Sequence, residues 1–205
     1  MLGVLLFVVM APATTPSLQD HAASNLRFIR DTMAATSGFT AVPGWGGVLM
    51  GVTALVTAAA AGPPRDGNSW IGWWLVEAAL ASALGGAAMA RKARLSGTPL
   101  TGTSGRRFAA AFLPAIVAGA VLTAVFFREH LVTRLPGCWL LLYGAAVTSG
   151  GAFSVRPVPI MGLCFMALGT LMFLLPAHLG SLLLAAGFGG LQIGFGIIIA
   201  RKHGG

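Results

Sequence analysis

Long apolar runs separated by short polar connections dominate the chain from residue 44 onward. Each run is continuous and about twenty residues long, the length that an α-helix needs to cross the hydrocarbon core of a membrane. A membrane β-barrel would instead alternate polar and apolar positions in segments of about ten residues. The pattern therefore predicts an all-α polytopic membrane protein. Six transmembrane helices are expected at roughly 44–62, 70–90, 108–127, 138–155, 158–176 and 179–200.

Residues 17–35 show a different pattern, in which apolar residues recur at helical spacing among polar ones. The apolar positions share one helical face and are separated by four, four, three and four residues: Leu18, Ala22, Leu26, Ile29 and Met33. This predicts an N-terminal amphipathic cytoplasmic helix that packs beneath the bundle, lies on the membrane or docks on a partner. The predicted domains are a tail (1–16), this helix with a linker (17–42) and the transmembrane domain (43–205).

The apolar start of the chain, MLGVLLFVVMAPA, is too short to span a membrane as a helix. Its end, Ala11-Pro12-Ala13, resembles a signal-peptidase site, but a positively charged n-region is missing and the run is shorter than usual signals. The alternatives are a translation start at Met10, an interfacial anchor and a cleaved signal. We favour the start at Met10 and expect residues 1–9 to be dispensable.

Composition and charge add the location and the orientation. Hydrophobic residues make up 56% of the chain and charged residues 9%, whereas soluble domains carry about a quarter charged residues. The positive residues stand at span ends rather than on one face, so we expect no nucleic-acid partner. With both termini in the cytoplasm, ten Lys and Arg residues lie inside, among them those of the loop 91–107, and three lie outside. Cytoplasmic loops retain positive residues, so this count supports the orientation. We predict a multi-pass protein of the bacterial inner membrane.

Two polar residues inside predicted spans are candidate functional residues. Glu77 is the only acidic residue in a span, about 10 Å below Trp70, and an intramembrane carboxylate is costly unless it serves a purpose. As a structural group it is expected to pair with Arg128 or His130. Gln192 is expected to form hydrogen bonds between helices.

Small and aromatic residues predict contacts at two levels of the bundle. Gly47 and Gly51 in span 1, and Gly190 and Gly194 in span 6, have the spacing that lets two helices approach closely. At the outer end of span 2 three tryptophans are expected to form an aromatic belt at the lipid headgroups: Trp70, Trp73 and Trp74.

No motif indicates an enzyme, a cofactor or a metal site. No pair of histidines lies at mid-membrane depth to hold a haem, and no span contains the aspartates of an intramembrane protease. A shared outer metal or proton site is conceivable for a small set of residues, although their spacing has no signature: Glu77, Glu129, His130 and His178. We therefore predict no enzymatic activity and no cofactor.

Several segments resemble a group of bacterial inner-membrane proteins found among acidobacterial hypothetical proteins, in the same order from Leu18 onward: LQDHAASNLRFIRDTM, FTAVPGWGGVLMGVTAL and GFGGLQIGFGIIIARKHGG. The resemblance implies the six-span architecture and a start close to the LQDHA stretch. It implies no activity.

Two classes of function stay open. The favoured one is a non-enzymatic regulatory, sensory or complex-forming membrane subunit, surrounded by lipid and contacting a partner through residues 17–35 or 91–107, with oligomer formation left open. The alternative is a small-solute or proton-coupled transporter that uses Glu77, with its path between the Gly-rich spans 1 and 6. A single acidic residue placed off-centre makes a poor substrate pathway, which favours the first.

Overall fold

The computed structural model describes residues 22–26, 28–29, 39–64, 67–97 and 100–204. The chain forms two compact units, residues 1–36 and 37–205. In the first unit the described residues are helical, and Leu26 and Ile29 of the predicted apolar face are exposed. A helix is thus confirmed at these positions, while its amphipathic character and cytoplasmic location stay predictions; residues 1–21, 27 and 30–38, which include the tail and the rest of the predicted helix, lie outside the described residues.

Six helices follow one another in the described part of the second unit. Helices α1 to α5 are Gly44–Ala61, Gly67–Leu95, Thr103–Arg128, Leu135–Gly151 and Pro157–Leu174. Helix α6 is continuous through Gly180–Leu184, the π-helical stretch Ala185–Leu191 and Gln192–His203. Short 3-10 turns, Val132–Arg134 and Ala177–Leu179, lead into α4 and α6. Within the described residues the β contact is one isolated bridge, between Phe39 and Ser154.

Five of these helices are long and apolar enough to cross a membrane, so the chain is an all-α polytopic membrane protein. The exception is α4, the fourth predicted span, which has 17 residues and is one residue shorter than α1 and α5. We expected that span to reach residue 155, but the helix ends at Gly151. Beyond that end the Phe153 carbonyl would have no helical donor, because residue 157 is proline, and it instead accepts a hydrogen bond of 2.5 Å from the Phe39 N–H.

The polar connection around residues 91–107 is shorter than predicted because the helices on both sides extend into it. Helix α2 runs on to Leu95 and α3 begins at Thr103. Arg91, Lys92 and Arg94 are therefore helical.

One end of the bundle, which we call the basic end, contains the start of α1 and the ends of α2 and α6. Lys92 joins them, because its Nζ donates hydrogen bonds to the carbonyls of Val42, His203 and Gly204 at 3.0, 3.0 and 2.5 Å. The extended residues before α1 also lie here, with Phe39 and Ala41 fully buried. Residues 39–42, which we assigned to the linker, thus pack with the bundle.

At the opposite end, which we call the tryptophan end, α2 meets α4 and the start of α6. The Trp70 ring stacks on Trp139 with centroids 5.8 Å apart. Its Nε1 donates a hydrogen bond of 2.8 Å to Ser181 Oγ, and the Ser181 hydroxyl in turn donates to the Gly62 carbonyl. Trp70 and Trp74 are 2% and 4% exposed, so only Trp73 of the predicted belt is free to face lipid. The belt prediction is wrong for the two buried rings, because in an almost uniformly apolar helix tryptophan can pack inward equally well.

Candidate functional site

Glu77 lies buried between α2 and α1. Thr53 Oγ1 donates a hydrogen bond of 2.8 Å to one carboxyl oxygen, and Thr57 Oγ1 donates one of 3.2 Å to the other. The two threonines are four residues apart, so both hydroxyls face the same side of α1. Both oxygens of the carboxyl group are thereby engaged within a helix–helix interface.

The predicted cationic partners of Glu77 are elsewhere. Arg128 and His130 are exposed at and just beyond the end of α3, and α1 rather than α3 packs against α2. That pairing is therefore wrong. Sequence pattern placed Glu77 at membrane depth but did not indicate which helix faces it, since every neighbouring helix is apolar.

Gln192 connects three helices from its position on α6. Its side chain is 6% exposed, and Nε2 donates a hydrogen bond of 3.2 Å to the Tyr143 hydroxyl on α4. The same nitrogen lies 3.9 Å from the Met50 sulfur on α1. Within the described part of the chain, Gln192 Oε1 is buried and has no hydrogen-bond partner. The bonds are of the interhelical kind expected from the sequence.

Met50 joins these two clusters into one polar line across the bundle. Its carbonyl oxygen lies 2.9 Å from Thr53 Oγ1, while its sulfur faces Gln192. The polar line thus runs through α2, α1, α6 and α4: Glu77, Thr53, Met50, Gln192 and Tyr143. Met50 offers only acceptors, a carbonyl oxygen and a thioether sulfur. Met50 therefore interrupts the series of hydrogen-bond donors between Glu77 and Gln192.

The π-helical stretch of α6 ends directly before Gln192. π-helical turns are rare in proteins, and those that occur are often found at functional sites. Phe188 within it packs on Tyr143 and Phe165, with ring centroids 5.0 and 5.3 Å away. Nothing in the sequence distinguished this stretch from ordinary α-helix, apart from its glycines.

Helices α1 and α6 do touch through glycines, but the predicted partners on α6 are wrong. A Cβ on Gly51 would lie 2.8 Å from the Gly189 carbonyl oxygen, and one on Gly196 would lie 2.8 Å from the Gly44 carbonyl oxygen. Around Gly190 and Gly194, by contrast, no atom of the described chain lies within 4 Å of the Cβ position. Gly189 and Gly196 are seven residues apart and share a face, whereas the GxxxG pair faces outward. Gly47 lies in ordinary contact with α6.

The remaining polar candidates do not converge. Among the described residues no three His, Cys, Asp or Glu side chains are grouped closely enough to hold a metal ion. A cavity of about 220 Å³ opens at the tryptophan end and has no lining residue in common with the polar line: Thr133, Arg134, Met172, Phe173, Leu175 and Ala177. Comparisons with protein-family models, curated proteins and solved structures found no match.

Proposed function

We propose that this protein is a non-enzymatic, complex-forming or regulatory subunit of a bacterial inner membrane, with both termini in the cytoplasm. The distribution of charge supports the orientation. In the described bundle eight Lys and Arg residues belong to the basic end, whereas Arg128 and Arg134 belong to the tryptophan end. Cytoplasmic ends of membrane helices retain positive residues in this way.

One observation carries the non-transport part of the proposal: the polar line has no continuous set of proton-bearing groups. Thr53 and Thr57 engage both oxygens of Glu77, and Met50 separates this cluster from Gln192. Glu77 then serves as a clamp between α1 and α2 rather than as a carrier of protons.

The test is a proton-flux measurement with liposomes that contain the purified protein and an internal pH-sensitive dye. The parent and Glu77→Gln should give the same dye response as empty liposomes. Both should unfold at similar temperatures, because the amide keeps the shape of the carboxyl group and one threonine hydroxyl can turn to accept from the amide N–H instead of donating. A flux present in the parent and absent in Glu77→Gln would overturn the clamp.

The alternative function, a small-solute or proton-coupled transporter, is favoured by the π-helical stretch and the unpartnered Gln192 Oε1 beside it. A transporter that uses Glu77 predicts that the Glu77→Gln variant stays folded and no longer transports its solute or protons. The same liposomes therefore distinguish the two for protons.

The contact surface for a partner is the N-terminal amphipathic helix. Leu26 and Ile29 are exposed by 68% and 52%, and they share the predicted apolar face. Capture of the intact protein from native membranes should retain a partner that is lost in a Leu26→Ser, Ile29→Ser variant. Ala23→Ser, which lies off that face, is the matched control and should retain it. Equal retention by all three proteins would contradict this contact.

A further inference from the structure

The basic end carries a concentrated positive charge without acidic residues in the described part of the chain. The acidic residues described are Glu77 inside the bundle and Glu129 at the tryptophan end. Seven basic side chains at the basic end are exposed: Arg91, Arg94, Arg106, Arg107, Arg156, Arg201 and Lys202. Lys92 is only partly exposed and its ammonium group is engaged by backbone carbonyls, so it is not counted in this exposed set.

Four of the seven belong to one corner of the bundle, where α2 ends and α3 begins. Phe39 contacts both helices. It forms a small buried cluster with Ala93 of α2, and Phe108 of α3 packs against this cluster. The Phe39 and Phe108 ring centroids are 4.9 Å apart. Arg94 and Arg107 directly adjoin these packed residues in sequence, so the end of α2 and the start of α3, each with two exposed arginines, lie beside each other at this corner. We call Arg91, Arg94, Arg106 and Arg107 the arginine corner.

Helix lengths put the arginine corner at the level of the lipid headgroups. Arg128 follows Arg107 by 21 residues in one helix, which at 1.5 Å per residue is about 31 Å. This equals the thickness of a bilayer core, about 30 Å, so the two side chains stand at opposite surfaces. Trp45, 59% exposed at the start of α1, is at the same end and is typical of the interface.

We propose that the arginine corner binds the phosphate groups of anionic phospholipids. All four residues are arginines, whose planar guanidinium groups donate paired hydrogen bonds to phosphate oxygens. The depth of the corner favours lipid over an acidic protein, because the headgroup phosphates surround it while a protein partner would have to reach into the interface. The arginine corner is then a lipid contact, and this inference does not depend on the proposed function.

The test is native mass spectrometry of the full protein released from mixed micelles with equal phosphatidylglycerol and phosphatidylcholine. The parent should retain phosphatidylglycerol preferentially. Each basic residue near a charged membrane surface contributes about fivefold, so the variant Arg91→Gln, Arg94→Gln, Arg106→Gln should lose roughly 100-fold in selective binding. The matched control, Arg128→Gln, Arg134→Gln, removes charge at the tryptophan end and should keep the selectivity. Micelles make the membrane orientation of the variants irrelevant.

Three additional arms separate the sources of the effect. Unfolding temperatures in phosphatidylcholine alone should be equal for parent and variants, which shows that the triple variant is folded. Inorganic phosphate at millimolar concentration should not displace the lipid; displacement would overturn lipid binding in favour of a simple anion site. A poly-glutamate peptide that binds the parent while phosphatidylglycerol does not would overturn it in favour of an acidic protein partner. Equal loss in the triple variant and the control would also overturn it.

Discussion

A single methyl group added at Gly196 should separate α1 from α6, whereas the same change at Gly194 should not. The Cβ of alanine at 196 would lie 2.8 Å from the Gly44 carbonyl oxygen and 2.9 Å from the Val48 nitrogen. Both are backbone atoms, so no side-chain rotation can relieve the overlap and the helices must move apart. At Gly194 the Cβ position is open to 4 Å within the described structure.

The magnitude follows from comparing the two variants. Overpacking a close contact costs about 1–3 kcal/mol. The higher helix propensity of alanine over glycine, about 1 kcal/mol, applies to both variants and cancels in the difference. Gly196→Ala should therefore unfold about 1–3 kcal/mol more easily than Gly194→Ala, which should match or exceed the parent.

Equilibrium unfolding of the purified protein in a mild detergent, titrated with a denaturing one, measures this difference. Gly51→Ala provides a second check, because its Cβ would lie 2.8 Å from the Gly189 carbonyl oxygen, a backbone atom, and it should behave like Gly196→Ala. Equal stability of the Gly194 and Gly196 variants, or a greater loss at Gly194, would refute the glycine contact described here.

Two further variants test the ends of the bundle by the same unfolding measurement. Lys92→Met removes the charged donor shared by three carbonyls and, given its partial exposure, should cost about 1–2 kcal/mol of unfolding free energy. Lys92→Arg should recover part of this loss. A Lys92→Met variant as stable as the parent would contradict the role of Lys92 in joining the helices. Ser181→Ala leaves Trp70 Nε1 buried without its acceptor and should lower the free energy of unfolding by about 1–3 kcal/mol. Ser82→Ala, on an exposed part of α2, should lower it far less. Equal losses in the two variants would contradict the hydrogen bond from Trp70.

The fold was predictable because long apolar runs are the strongest signal that a sequence carries about membrane helices. The ends of the helices were less predictable than their existence. Helix α2 continues through Arg91 and Lys92, because long basic side chains are compatible with a helix that leaves the membrane. Helix α4 ends four residues before the expected position, and the bond between Phe39 and Phe153 that follows it is a tertiary contact that the local pattern did not predict.

The facing of residues within the helices was the part that sequence could not supply. A helix that is apolar on all sides has no polar face to mark the exterior, so the inward positions of Trp70 and Trp74 could not be told from an aromatic belt. The same reason accounts for the wrong facing predicted for Gly190, which lies within the π-helical stretch Ala185–Leu191, and for Gly194, which follows it. Glu77 was recognisable because a carboxyl group is rare at that depth, but its partners Thr53 and Thr57 were not.

The threading of the chain through the membrane, with the basic end in the cytoplasm, is the claim on which the proposed function rests. Single cysteines at Ser96, Asn68 and Thr133, in a chain whose native Cys138 and Cys164 are replaced by alanine, report it directly through an impermeant thiol reagent added to intact cells. All three positions are exposed, the first at the basic end and the others at the tryptophan end. We predict labelling at Asn68 and Thr133, and at Ser96 only after the membrane is opened. Labelling of Ser96 in intact cells, with the other two protected, would contradict the orientation.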